Sequence, residues 1–98
     1  MDINLIRSKQ QAAVQVLAEL LAEDLPVADW VISSAYGSIE GQLESQAEVK
    51  AWAAAHRAAV VRNYRSDKRY LEATFSVDPE VRVWYPLPSG EAFAEVDA

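Results

Sequence analysis

Residues 70–86 read Tyr70-Leu71-Glu72-Ala73-Thr74-Phe75-Ser76-Val77-Asp78-Pro79-Glu80-Val81-Arg82-Val83-Trp84-Tyr85-Pro86. Leu71, Ala73, Phe75 and Val77 alternate with Tyr70, Glu72, Thr74 and Ser76, the two-residue period of a strand with one face in a core. Asp78-Pro79-Glu80 is a turn signal, because proline's fixed φ suits an early turn position. Val81, Val83 and Tyr85 then alternate with Arg82 and Trp84, and Pro86 ends the pattern. The stretch predicts an antiparallel hairpin with an apolar face and a mixed face.

Working towards the N-terminus, Ser45-Gln46-Ala47-Glu48 has the form of a capping box. Val49, Trp52, Ala53, His56 and Val60 follow at helical spacing, and the alanines of 51–59 favour helix because Ala loses no rotamer freedom. A helix is expected from 46 to between 58 and 64. Before it, residues 27–43 return to period two. Trp30 and Ile32 alternate with Asp29, Val31 and Ser33. Ile39, Gly41 and Leu43 alternate with Glu40 and Gln42 after Tyr36-Gly37-Ser38. This is a first hairpin, with Gly37 suited to a positive φ and Gly41 marking a bulge or a close approach by a helix. Residues 4–24 carry Ala13, Leu17, Leu20 and Leu21 on one helical stripe, with Asn4 as the expected cap and Pro26 as the stop.

The order helix, hairpin, helix, hairpin predicts an α+β domain over 1–88, αββαββ, followed by an acidic tail over 89–98 expected to be a frayed end, with Phe93 as the one residue available to anchor it. The expected architecture is a four-stranded, mainly antiparallel sheet with both helices on one face. Trp30, Ile32, Ile39, Leu43, Leu71, Ala73, Phe75, Val77, Val81, Val83 and Tyr85 form the expected core. A slip of one residue would expose that whole set, so the alternation strongly fixes the register. The order of the hairpins in the sheet is not readable. One alternative packs the first helix on a partner rather than on its own sheet.

Composition narrows the function classes. Ninety-eight residues are enough for one small domain. The net charge of −6 argues against coating nucleic acid over the whole surface. There is no cysteine, so thiolate catalysis, disulfides and thiolate metal sites are excluded. His56 is the single histidine, and one histidine does not define a metal site. Its neighbours Ala55 and Arg57 supply no nucleophile, and the sequence gives no reason to prefer Ser33, Ser34 or Ser76 as one. The carboxylates sit at helix ends and turns, where solvent and dipoles explain them. The three glycines, 37, 41 and 90, form no phosphate-cradling loop. No apolar run reaches the ~18 residues of a membrane span, and no secretory leader is visible. A cytoplasmic protein without catalytic residues, metal or cofactor is expected.

Two surfaces remain. The outward sheet face carries Tyr70, Arg82 and Trp84, and two aromatics on an otherwise polar face suit a partner-binding anchor. The competing explanations place Trp84 under the tail, against Phe93, or have it simply shield Arg82, and Arg82 can also pair with Glu72 across the strands as a local structural use. The second surface is Arg57, Arg62, Arg65, Lys68 and Arg69, five cations opposed only by Asp67 within residues 57–69 and interleaved with Tyr64 and Tyr70. Such a run suits phosphate and base contacts, or a solvated segment closing a helix, or docking on an acidic region of a second copy or another protein. The expected function is a small non-enzymatic protein-interaction module docking an unidentified protein or a second copy of itself through the open sheet face. A nucleic-acid accessory protein using 57–69 is the alternative.

Ala28-Asp29-Trp30-Val31-Ile32 through Gly41, together with Val49-Lys50-Ala51-Trp52-Ala53, resemble small helix–hairpin–helix–hairpin proteins of actinobacteria and their phages. The resemblance covers about residues 28–85. It implies the αββαββ fold and carries no activity or functional residue with it.

Overall fold

A computed structural model describes residues 2–33, 37–77 and 79–93, with the backbone alone at Val77. The elements are α1 (Ile3–Ala22), β1 (Asp29–Ile32), β2 (Ile39–Gln42), α2 (Gln46–Ala55), β3 (Val60–Arg65), β4 (Lys68–Val77) and β5 (Glu80–Leu87). The chain is α+β, as the alternation predicts, with five strands rather than four. They lie in the order β1-β2-β5-β4-β3. Three pairings are antiparallel, and β2 runs parallel to β5, placing Ile39 beside Val81 and Gly41 beside Val83.

The extra strand replaces the C-terminal part of the predicted second helix and the basic segment after it. α2 stops at Ala55 because the chain closes it with a Schellman motif. Arg57 sits in the left-handed region (φ 54°), Arg57 N donates to Ala54 O and Ala58 N to Ala53 O, which uses the last free carbonyls. No glycine announces that stop. Ser66 and Asp67 both have positive φ, as a tight two-residue hairpin turn requires, and Ser-Asp is a weak signal for it. Val60, Val61 and Tyr64 are good strand formers, and Arg62 and Arg65 suit an edge, where charge discourages pairing with other chains.

The helix starts are local chemistry. Asp2, not Asn4, caps α1, its Oδ1 accepting from Asn4 N at 2.9 Å and Leu5 N at 3.3 Å. Ser45 Oγ accepts from Glu48 N at 3.2 Å, while Glu48 Oε1 reaches back to Glu44 N at 2.9 Å. That satisfies two backbone donors reciprocally, as a capping box does.

The core lies between the helices and one sheet face. Ile39, Leu43, Leu71, Ala73, Phe75, Val81 and Val83 are buried there with Val49, Trp52 and Ala53 of α2. Trp30, Ile32 and Tyr85 are partly buried against the same cluster. Val77's side chain, Tyr36, Asp78 and the tail beyond Phe93 lie outside the described residues. α2 lies across β3, β4 and β5. α1 joins the same core but buries only Ala13 and Leu20 along its twenty residues. Gly37 has the expected positive φ, 66°. Gly41 makes room for a ring rather than a helix: a Cβ there would stand 2.7 Å from Trp30 Cζ3. Among the described residues no helix is long and apolar enough to cross a membrane.

Candidate functional site

The face of the sheet away from the helices is set by register. Arg82 lies opposite Thr74, Trp84 opposite Glu72, and Tyr70 opposite Pro86 and Asn63. These side chains therefore share one face, with Glu40 and Gln42 of β2 continuing it beyond β5. Tyr70 and Trp84 meet edge to face, with ring centroids 5.7 Å apart. The Arg82 guanidinium stands 5.7 Å from the Trp84 ring centre, within cation–π range. The structure thus brings Tyr70, Arg82 and Trp84 into one cluster.

Arg82 is held from both sides. Its Nη1 donates to Glu72 Oε2 at 2.6 Å, and Nη2 lies 3.5 Å from Glu40 Oε1. Asn63 Nδ2 donates to the other Glu72 oxygen at 2.5 Å. The chain Asn63–Glu72–Arg82–Glu40 runs across four strands. Glu72 is only 9% exposed although no helix covers it, so neighbouring side chains hold its carboxylate in place for Arg82. The Nε of Arg82 is buried and finds no acceptor among the described residues. The Glu72–Arg82 pair is readable from alternation. Asn63 and Glu40 join it through β3 and the parallel β2–β5 pairing, neither of which the sequence announces.

Between Pro88 and Phe93, the described part of the chain after β5, nothing covers this face. That segment turns to the helix side, where Glu91 accepts from Tyr85 Oη at 3.0 Å and from Gln46 Nε2 at 2.8 Å. Partial burial, with the hydrogen bond and negative charge of Glu91, raises the pKa of Tyr85 above its ordinary value. Phe93 lies under Arg62 (5.0 Å), Arg69 (5.5 Å) and Tyr64 (5.9 Å). Phe93 is therefore not the cover for Trp84.

The basic segment is divided among three places. Arg57 closes α2. Arg62 and Arg69 cover Phe93 on the helix side. Arg65 and Lys68 pair in register at the β3–β4 turn, on the same face as Tyr70, and form no ion pair among the described residues. No single surface collects all five cations.

His56 caps the end of α2. Its ring stacks on Phe75 at 4.1 Å, and Nε2 lies 2.9 Å from Glu23 Oε2 at the end of α1. It lines an open cleft of about 430 Å³ with Glu19, Glu23, Phe75 and Ser76. Ser76 has a left-handed backbone (φ 68°) at the β4 irregularity. No hydrogen bond joins it to His56 among the described residues, and the His56–Glu23 contact links the ends of α2 and α1. The described residues hold no cluster of three or more potential metal ligands. Comparison with protein-family models, curated proteins and solved structures returned no match.

Proposed function

We propose that this chain is a non-enzymatic interaction module that docks an acidic protein segment on its uncovered sheet face. The observation that carries the reading is the half-buried Tyr70–Trp84 pair, which the described segment after β5 leaves open because it docks on the opposite side as far as Phe93. Large rings that keep a polar edge are the residues that dominate protein interfaces. Their supports are already ordered, so binding loses little further side-chain entropy.

Charge selects the partner class. The positive charge of Arg82 is absorbed by Glu72 and Glu40, which makes it a rigid wall for Trp84. Arg65 and Lys68, next to Tyr70 on this face, form no ion pair among the described residues, and they favour carboxylates. Single-stranded nucleic acid fits less well. The rings meet edge to face instead of offering parallel platforms, Arg82 occupies one side of Trp84, and the chain as a whole is anionic.

Selection from a displayed library of short peptides tests the reading. Enrichment of Asp/Glu-rich sequences with an apolar residue is expected. Their binding should fall about tenfold or more in Trp84→Ala, as for an anchor residue, and should weaken with salt. It should be unchanged in Arg57→Ala, which lies off the face. Peptides that bind Trp84→Ala equally well contradict the proposal. So does tighter capture of a single-stranded oligonucleotide than of any peptide, or a dimer that forms through Trp84 and buries the face.

A further inference from the structure

We infer that the outer shoulder of α1 is an interface at which two copies of this chain pair antiparallel. The helix has a wider apolar arc than its own domain covers. Ala13 and Leu20 face the core, and Leu17 is half-buried at its margin. Ile3, Val14 and Leu21 remain 70%, 56% and 64% exposed. At about 100° per residue they fall on one line down the helix, beside Leu17 and away from the buried stripe. Ile3, Gln10 and Leu17 recur every seven residues, and so do Arg7, Val14 and Leu21. Two such interleaved series make the seam of a helix pair.

Charge identifies the occupant as a second copy. Arg7 is the charged member of the seam near its N-terminal end, and Asp24 stands just beyond the C-cap Glu23 at the other end. Both are exposed, and neither forms an ion pair among the described residues. A two-fold axis near Val14 and Leu17 sets Val14 of each copy against Leu17 of the other and brings Arg7 to Asp24 of the second copy, twice by symmetry. The helix dipoles then oppose each other favourably. Parallel pairing would stack Arg7 on Arg7. A helix of this length spans about 30 Å, so the buried area falls at the small end for specific interfaces and the dimer is weak. α1 lies on the opposite side of the sheet from Tyr70 and Trp84, so this contact and the docking face can be occupied together.

Sedimentation of the whole chain over a concentration series, from about 1 μM to about 500 μM to suit an interface of this size, reads the equilibrium directly. A monomer–dimer equilibrium is expected. Leu21→Glu should weaken it about tenfold or more, through loss of a buried apolar side chain, with the helical circular dichroism retained. Asp24→Arg alone should weaken it several-fold, and Arg7→Glu combined with Asp24→Arg should restore it. The second series carries the test if Leu21→Glu does not fold. A monomer throughout, a dimer insensitive to these charge reversals, or one lost only in Trp84→Ala overturns the inference.

Discussion

Three residues of this chain carry consequences out of proportion to their size. Gly41 lies under the Trp30 ring, itself packed edge to face on Trp52 at 5.5 Å. Gly41→Ala pushes the ring out of that position. It should cost roughly 1–3 kcal/mol in urea unfolding, as overpacking does, and shift the tryptophan emission. Arg57 occupies a left-handed position that disfavours a side chain. Arg57→Gly is therefore expected to stabilise the fold by roughly 0.5–1 kcal/mol, and an unchanged or lower unfolding midpoint contradicts the Schellman closure. Tyr85 ionises late because it is partly buried against Glu91. Its contribution to stability is complete below the unfolded phenol's pKa of about 10 and is lost as pH rises through the higher folded value. In an alkaline absorbance titration, the difference between the natural chain and Tyr85→Phe should appear above the ordinary phenol range. Glu91→Gln should move it back down.

Among the elements, what was legible followed period and capping. The alternation of 70–86 identifies β4 and β5 and separates the core face from the Tyr70–Trp84 face. The Ser45–Glu48 spacing places the start of α2. β3 was hidden because its charges read as a solvated run, and because neither the end of α2 nor the β3–β4 turn uses the glycine that usually marks such a place. Without β3, Asn63 and half of the Glu72 site were invisible. So was the division of the basic segment between Phe93, the β3–β4 turn and the end of α2. The parallel β2–β5 pairing is a tertiary choice between hairpins that no local pattern encodes. The strand-crossing chain has its own test. Glu72→Ala leaves Arg82 without its nearest carboxylate and Asn63 without its acceptor. A loss of about 1–3 kcal/mol is expected, with Glu72→Gln closer to the natural chain. An unaltered denaturation midpoint in Glu72→Ala shows that the network contributes nothing.

At the scale of the whole molecule, the sheet divides two kinds of surface. One side is closed by α2, part of α1 and the segment ending at Phe93. The other is a polar network with a half-buried Tyr–Trp pair beside two cations that form no ion pair among the described residues. A chain of −6 overall that places Arg65 and Lys68 on the same face as Tyr70 and Trp84 has a local preference its net charge does not express. Titration of the isotopically labelled chain with its best-selected acidic peptide, followed by backbone amide NMR, locates docking directly. Shifts should concentrate on residues 61–65, 68–74 and 82–86 and be lost in Trp84→Ala. Shifts centred on α1, α2 or the His56 cleft, with these strands unmoved, would contradict docking on this face.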